Sequence, residues 1–393
     1  MKAPIVIIGS GFAAYQLVKT VRRLDASSPI QVFTADDGAE YNKPDLSHVF
    51  SKQQTARDLV VKTAQEFAQQ HNIELFSHSL VERVDTQTQQ IVVNGCTYPY
   101  AKLVFATGAQ AFEPPMLGDA VQEVITLNSL QEYQAVEATL SYAKRVLVIG
   151  GGLIGVELAM DLASSGKEVS IVEPNTRLLA NLLPEFVALP LEHHLIQQGI
   201  KLLLSSSVSE INYADGAQVM TLSNGQNITA DAVICAAGLR ANTKLARDAG
   251  ITINQGICVN PQLQTSVINV YALGDCAEIE GKVLPYLQPI VLSANVLAKQ
   301  LLGEEARLVL PPMMVKVKTP SYPIQLAGSF AQVETWSVQF SKGGIVAKAE
   351  NANNQLTGFV VSGEQVTQAF PLLRELSISA SKSELKANQA SLN

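Results

Sequence analysis

The 393-residue sequence has few cysteines, few charges and no long apolar run. Its four cysteines, Cys96, Cys235, Cys258 and Cys276, include no Cys-x-x-Cys pair, which argues against a zinc knuckle, an iron–sulfur cluster or a redox disulfide. The five histidines show no metal-ligand spacing, so no metal site is predicted. No stretch reaches the about 18 apolar residues of a membrane span, and no signal segment opens the chain. We therefore expect a cytoplasmic protein.

Charged residues make up only 16% of the chain, and the formal net charge is −7. This balance, without a basic run, argues against nucleic-acid binding. Hydrophobic residues account for 47%, which is enough to bury large cores. The length is that of roughly two to three domains.

The most informative stretch runs from Val146 to Met160. Four apolar residues are followed by glycines at 150, 152 and 155 and then by apolar residues at helical spacing, which predicts a strand, a tight turn and a helix. Gly150 permits the turn, Gly152 lets a pyrophosphate approach the backbone, and Gly155 lets helix and strand pack closely. The pattern is typical of a dinucleotide site with the phosphates at the helix N-terminus.

A second apolar strand, Val169 to Val172, ends in Glu173. A carboxylate at this position can accept hydrogen bonds from both ribose hydroxyls of an adenosine, whereas it would repel a 2′-phosphate. The sequence therefore predicts NADH rather than NADPH. Arg177 is the only basic residue nearby.

A second strand, glycine-rich turn and helix pattern occurs near the N-terminus, where a strand from Ile5 to Ile8 leads into Gly9, Gly11 and Ala14. Ala14 stands where the third glycine is usual. The following strand, Ile30 to Phe33, ends in Thr34-Ala35 instead of an acid, so the slightly later Asp36 is the candidate for the ribose contact. Two fingerprints predict two nucleotide sites.

The rest of the chain suggests further units. We predict a helix over 53–70, a first boundary near residue 112, a second nucleotide unit over 113–237, and a crossing back to the first domain after Gly238. Alternating segments beyond residue 310 predict an antiparallel sheet, and the polar residues 381–393 predict a disordered tail.

These motifs, together with Thr107-Gly108 and Tyr271-Ala-Leu-Gly-Asp275, occur in the order found in pyridine-nucleotide flavoprotein reductases with two dinucleotide domains. The chain resembles this family over about residues 1–350. Within that superfamily, the segments Tyr41-Asn-Lys-Pro-Asp-Leu-Ser47 and Val317-Lys-Thr-Pro320 look like those of the rubredoxin reductases, including those that serve flavorubredoxin.

The resemblance implies an α/β fold with two Rossmann-like domains and a small α+β C-terminal domain. FAD would bind to a discontinuous domain of residues 1–112 and 238–310, NADH to an inserted domain of residues 113–237, and residues 311–380 would form the C-terminal domain. For FAD it implies Gly9, Ser10, Gly11, Phe12, Ala13, Ala14, Asp36, Lys43, Pro44, Val84, Ala106, Thr107, Gly108, Gly238, Gly274, Asp275 and Lys318. For NAD it implies Gly150, Gly152, Leu153, Ile154, Gly155, Glu157 and Glu173.

Lys43 and Glu157 are the candidate catalytic residues. In the family that the chain resembles, a lysine and a glutamate at these positions form an ion pair near flavin N5. A cation there stabilises the negative charge that arrives with hydride, and a carboxylate holds the lysine in place. The helix that begins near Pro289 would direct its N-terminus at the pyrimidine edge of the flavin.

The implied reaction takes hydride from NADH and passes single electrons to rubredoxin or a similar small acidic carrier. Disulfide reductases of this superfamily place a cysteine pair on the loop that here contains Asn42-Lys43-Pro44. A ferredoxin reductase of an oxygenase system and an NADH oxidase remain alternatives, as does a non-catalytic NAD-binding protein. Lys43, Lys316 and Lys318 would form a basic rim for the acidic partner, and we expect a monomer.

Overall fold

The computed structural model describes residues 3–390 except 215, 318, 320 and 332, and only the backbone of residues 380–390. The chain is an α/β protein in which two parallel sheets precede an antiparallel sheet. Within this described part, no helix is both long enough and apolar enough to cross a membrane.

The first segment of the chain contains ten strands and two helices. They are β1 (Ile5–Ile8), α1 (Phe12–Leu24), β2 (Ile30–Phe33), β3 (Glu40–Tyr41), β4 (Val60–Lys62), α2 (Ala64–His71), β5 (Glu74–Phe76), β6 (Val81–Asp85), β7 (Gln90–Val93), β8 (Cys96–Pro99), β9 (Lys102–Phe105) and β10 (Ala109–Ala111). Two 3-10 helices span Lys43–His48 and Arg57–Leu59.

The second segment repeats the strand-turn-helix start. It contains the 3-10 helix Val121–Glu123, α3 (Leu130–Tyr142), β11 (Arg145–Ile149), α4 (Leu153–Ser164), β12 (Glu168–Glu173), α5 (Glu185–Gln197), β13 (Lys201–Leu204), β14 (Val208–Ala214), β15 (Ala217–Leu222), β16 (Asn227–Ala230) and β17 (Ala232–Cys235).

The third and fourth segments complete the chain. The third contains β18 (Leu239–Ala241), α6 (Lys244–Asp248), β19 (Ile257–Val259), β20 (Val270–Ala272), β21 (Ala277–Ile279), β22 (Lys282–Val283) and α7 (Leu287–Leu302). The fourth contains β23 (Met314–Val317), β24 (Ile324–Gly328), β25 (Thr335–Ser341), β26 (Gly344–Glu350), β27 (Leu356–Ser362), the 3-10 helix Gly363–Gln368 and α8 (Ala369–Ala390).

The first parallel sheet has the order β20-β9-β1-β2-β5, so a strand of the third segment completes a sheet begun by the first. Its central strand β1 is a short apolar run that is buried at every position, as expected for a parallel strand covered on both faces. The register pairs Ile8 with Phe33 and with Phe105. The residues that follow these strands therefore meet at one edge of the sheet, which is where open α/β sheets bind ligands.

The second segment builds a smaller parallel sheet of order β13-β12-β11-β17. Ile149 pairs with Val172 and Cys235, so Gly150, Glu173 and Ala236 follow at the same edge. The fourth segment forms an antiparallel sheet of order β23-β24-β27-β26-β25, against which α8 packs.

Two expectations from the sequence differ from the structure. The predicted helix over 53–70 is a 3-10 turn, then β4, and only then α2, because β4 pairs with β3 and a Thr63–Glu66 capping box starts the helix after it. The segment predicted as a disordered tail from residue 381 continues α8 as far as Ala390. Residues 391–393 lie outside the described part.

Candidate functional site

The glycine-rich turn after β1 leaves open space in front of helix α1. Gly9 has φ +113°, and a Cβ at this position would clash with the Ala106 carbonyl oxygen, so only glycine fits. Gly11 is the N-cap of α1 and provides no side-chain cap. A Cβ at Gly11 would meet no atom within 4 Å. The first N–H groups of α1 therefore point at space where a phosphate group can bind.

A cavity of about 1350 Å³ extends from this turn. It is larger than the roughly 300–1,000 Å³ typical of pockets for drug-sized ligands, and it has room for a dinucleotide. Of the residues predicted for FAD, those that line it are Gly9, Ser10, Gly11, Phe12, Asp36, Lys43, Ala106, Thr107 and Gly108. The open cradle at Gly11 and the size of the cavity fit FAD.

Other described residues predicted for FAD are not among those that line the cavity. Ala14 is fully buried in the core of the first sheet. A Cβ at Gly274 would lie 2.6 Å from the Ala13 Cβ, so the loop with Gly274 and Asp275 packs on the start of α1. Pro44 lies in the first turn of the 3-10 helix Lys43–His48. Lys318 lies outside the described residues.

Val84 is not a cavity residue in this structure, contrary to the prediction. It is buried in the apolar core on the other face of the first sheet. A register shift in β6 between Val81 and Arg83 turns both Val81 and Val84 inward. The neighbouring stretch 79–82 lines the cavity instead.

Asp36 lies at the end of the second strand, where the sequence indicates a ribose contact. Its Oδ1 accepts hydrogen bonds from Ser10 Oγ at 2.8 Å, Thr34 Oγ1 at 2.6 Å and the Gly38 N–H at 3.0 Å. No described residue donates to its Oδ2. The side chain is thus fixed by one oxygen and retains a second acceptor on a residue that lines the cavity.

Two crossing segments are bound together beside the cavity. The Thr107 hydroxyl donates to the Asn242 carbonyl oxygen, and the Asn242 amide donates back to the Thr107 carbonyl oxygen, both at 2.9 Å. The Phe112 N–H donates to the Gly238 carbonyl oxygen at 2.9 Å, and β10 pairs with β18. The segment that leaves the first part of the chain and the segment that returns from the second part therefore run side by side.

Lys43 is held by residues of the second segment. Its ammonium Nζ donates to Asn128 Oδ1 at 2.7 Å. The Asn128 amide donates in turn to the Ala109 carbonyl oxygen at 2.8 Å, and the Asn128 N–H donates to Glu132 Oε2 at 2.7 Å. Asn128 and Glu132 line the cavity together with Lys43.

The predicted ion pair between Lys43 and Glu157 is not formed. Among the ion pairs of the described residues none involves Lys43, and Glu157 Oε2 accepts a hydrogen bond from Ser47 Oγ at 3.1 Å. One helical turn on, Asp161 accepts from the Phe50 N–H at 2.8 Å. These two carboxylates of α4 anchor the segment that carries Lys43, while Asn128 contacts its ammonium.

Burial lowers the pKa of Lys43, and the nearby carboxylates Asp275 and Glu132 oppose that shift. Burial raises the pKa of Asp275, and the Lys43 charge opposes this in turn. The two groups therefore stabilise each other's charged forms across the cavity wall.

The second glycine-rich turn repeats the first. Gly150 has φ +107°, and a Cβ there would lie 2.5 Å from the Ala236 carbonyl oxygen. A Cβ at Gly155 would clash with the Gly150 carbonyl oxygen, whereas one at Gly152 would meet nothing within 4 Å. Leu153 and Ile154 form the first turn of α4. The N-terminus of α4 thus offers a second phosphate cradle.

Glu173 ends β12 beside this turn and is buried. Its Oε2 accepts the Gly151 N–H at 2.6 Å, and its Oε1 accepts from the Asn175 N–H at 2.9 Å and the Asn175 amide at 2.6 Å. The carboxylate therefore also fixes the shape of the glycine-rich turn. Arg177 Nε is buried and has no hydrogen-bond partner among the described residues.

The sequence did not identify Asn128, Glu132 or Asn242 as site residues. Asn128 and Ser129 precede an apolar helix with Glu132 three residues after Ser129, which is the pattern of a helix start. That pattern locates the beginning of α3. It carries no information on the cavity, because the approach of α3 to Lys43 is a tertiary contact.

The match to a family model covers most of the chain. Residues 3–296 match the model described as pyridine nucleotide-disulphide oxidoreductase, and residues 307–376 match a rubredoxin binding C-terminal domain.

Named relatives match almost end to end. A nitric oxide reductase FlRd-NAD(+) reductase of Vibrio vulnificus (strain YJ016) is 68% identical over 96% of this chain and 99% of that protein. One from Aliivibrio fischeri (strain ATCC 700601 / ES114) is 56% identical over the same shares.

Solved structures share the fold. A ferredoxin reductase from Rhodopseudomonas palustris has a TM-score of 0.86 at 24% identity over 94% of this chain and 93% of its own. An NADH:rubredoxin oxidoreductase from Clostridium acetobutylicum has a TM-score of 0.79 at 21% identity over 96% and 95%.

The chain belongs to the pyridine nucleotide-disulphide oxidoreductase family and, within it, groups with the FlRd-NAD(+) reductases. The predicted family and the predicted α/β fold class are thereby confirmed, as are FAD and NAD as cofactors. The predicted electron transfer to rubredoxin is confirmed at the level of the family.

Proposed function

We propose that this protein is an NADH-dependent reductase whose acceptor is the rubredoxin domain of a flavorubredoxin that reduces nitric oxide. The observation that carries the proposal is the combination of a cavity fit for FAD with a C-terminal domain of the rubredoxin-binding type. The relatives with the highest identity cited above bear the name of such a reductase.

The cysteines support a one-electron acceptor rather than a disulfide. Cys235 and Cys276 are buried, Cys96 is exposed and Cys258 is partly exposed. In the described part of the chain, none of them lines the cavity. A disulfide reductase or a cysteine-dependent oxidase needs a thiol at the flavin, and this site offers the amine of Lys43 in that region.

When bound, FAD accepts two electrons as hydride from NADH and returns them one at a time. The protein's own part is to bind, orient and stabilise charge. The N-termini of α1 and α4 bind the two pyrophosphates, and Asp36 and Glu173 are the proposed ribose contacts. Lys43 supplies positive charge at the cavity, where it stabilises negative charge that arrives with hydride.

We also propose a cytoplasmic location, where NADH is available. Unpaired thiols such as Cys235 and Cys276 are usual in that reducing compartment.

Acceptor selectivity tests the proposed function. The purified FAD-loaded protein is supplied with NADH under argon and with one acceptor at a time: a flavorubredoxin, its isolated rubredoxin domain or a [2Fe–2S] ferredoxin. Oxygen is tested as an acceptor in a separate aerobic assay.

We expect the largest kcat/KM for flavorubredoxin, with the rubredoxin domain close to it. An equal or larger kcat/KM for ferredoxin would favour a ferredoxin reductase, and rapid oxygen consumption would favour an NADH oxidase. Either result would overturn the proposal.

A further inference from the structure

Asn128 stands at the junction of three parts of the site. It precedes α3, a helix of the second segment, yet its side chain reaches Lys43 of the first segment and Ala109 of the connecting strand β10. Its backbone N–H is held by Glu132 at 2.7 Å. The side chain and backbone of Asn128 are thus fixed by three separate hydrogen bonds.

The chemistry of the partners sets the orientation of the amide. A carbonyl oxygen accepts only, so the NH₂ group of Asn128 has to face Ala109. An ammonium donates only, so Oδ1 has to face Lys43. A flipped amide would place donor against donor and acceptor against acceptor. The network therefore admits one arrangement, and the Lys43 ammonium is held in one place at the cavity wall.

The partner of the Lys43 ammonium is a neutral amide and not a carboxylate. A carboxylate in hydrogen-bond contact would neutralise the ammonium charge, whereas an amide dipole leaves most of it in place. The charged groups that face Lys43 are Asp275, after β20, and Glu132, on α3, and both act on it through space. Among the described residues, neither forms an ion pair with Lys43.

We propose that Asn128 is a positioning residue for the reaction: its amide holds the Lys43 ammonium at the FAD cavity and leaves the positive charge available to the reduced flavin. This role rests on the proposed function only in that the cavity binds FAD. It does not depend on which protein accepts the electrons.

The test compares Asn128→Asp, Asn128→Ala and a control, Gln131→Ala, in the FAD-loaded protein. Gln131 lies one turn along the same helix and also reaches the first segment, since its amide donates to Asp37 Oδ1 at 2.9 Å. It does not contact Lys43. The first measurement is the midpoint potential of the bound flavin, titrated with a chemical reductant in the absence of NADH and any acceptor.

We expect Asn128→Asp, which is nearly isosteric, to lower the midpoint potential, because the new carboxylate neutralises Lys43. Asn128→Ala should slow flavin reduction by NADH by about tenfold, the effect of losing one hydrogen bond to a charged group, with little change in KM for NADH. Gln131→Ala should change neither quantity.

The second measurement is the pH dependence of flavin reduction. Lys43 loses its charge as the pH rises, and burial lowers its pKa. The rate of flavin reduction in the parent protein should therefore fall with rising pH, at a pH below the usual lysine value of 10.5. Asn128→Asp stabilises the charged ammonium, so this fall should move to higher pH.

An unchanged potential and pH profile in Asn128→Asp would overturn the proposal. Equal shifts of the potential and the pH profile in Gln131→Ala would also overturn it, because they would indicate a general effect of the contact between α3 and the first segment. Since the potential is measured without an acceptor, a failure here is distinct from a failure of the rubredoxin assay.

Discussion

Gly9 and Gly11 lie two residues apart in one turn and have different roles. Gly9 has a left-handed backbone with the Ala106 carbonyl oxygen against its α-carbon, so the fold itself requires it. A Cβ at Gly11 would meet no protein atom within 4 Å, so its proposed role is to leave room for the ligand. The sequence pattern contains both glycines, but it does not show which of them the fold requires, because that depends on the neighbours of each residue.

Alanine substitutions separate these two roles. Gly11→Ala should leave the melting temperature of the FAD-free protein unchanged and weaken FAD binding at least about tenfold, because the new methyl group occupies phosphate space. Gly9→Ala should lower the melting temperature as well. The measurements are thermal unfolding of the apoprotein and titration with FAD. A normal FAD affinity in Gly11→Ala would contradict the placement of the pyrophosphate at α1.

Glu173 has a structural task and a proposed task in nucleotide choice. Glu173→Ala leaves the Gly151 N–H without its acceptor, at a cost of about 1–3 kcal/mol in unfolding free energy. Glu173→Gln keeps one acceptor oxygen and the shape of the side chain. Both variants lose the negative charge that would repel a 2′-phosphate.

We therefore expect the NADPH-to-NADH ratio of kcat/KM to rise in both variants, while the melting temperature falls mainly in Glu173→Ala. Steady-state kinetics with each nucleotide and thermal unfolding check this. A parent protein that prefers NADPH, with Arg177 as the phosphate contact, would contradict the assignment of Glu173.

At the scale of elements, helix starts explain why the two glycine-rich strand-turn-helix units could be predicted. Both α1 and α4 begin at glycine N-caps that provide no side-chain cap, so their first N–H groups remain for a phosphate. The short apolar strands before them are also legible in sequence, because they are buried on both faces.

Elements whose form depends on distant partners could not be predicted. The polar stretch over 53–70 has helical composition, yet part of it pairs as β4 with β3. Likewise, Lys43 and Glu157 lie on neighbouring elements, but the contact to the Lys43 ammonium comes from Asn128, before α3. The family resemblance implies that these two elements approach each other. It does not determine which side chain of the approaching element makes the contact.

At the scale of the whole molecule, one parallel sheet is built from the first and third segments, with the second inserted between them. The two crossing strands β10 and β18 pair beside the cavity. The division into domains at about residues 112, 238 and 310 remains a prediction. So does the basic rim: Lys316 is exposed on β23, Lys43 is largely buried, and Lys318 lies outside the described part.

Electron transfer from the reduced enzyme to a rubredoxin centre tests the central claim most directly. The FAD-loaded protein is reduced with NADH under argon and mixed in a stopped-flow instrument with the oxidised rubredoxin domain of a flavorubredoxin, at several salt concentrations. Lys316→Gln is compared with Lys201→Gln, which removes an exposed lysine from the second segment.

We expect fast bleaching of the rubredoxin iron absorbance. Because the protein carries a net charge of −7, an acidic partner has to be attracted locally. Electron transfer to the rubredoxin domain should therefore slow as the salt concentration rises. It should also slow in Lys316→Gln and not in Lys201→Gln. Flavin reduction by NADH should stay nearly constant under the same salt series. A pre-reduced enzyme that leaves the rubredoxin domain oxidised at every salt concentration would contradict the account.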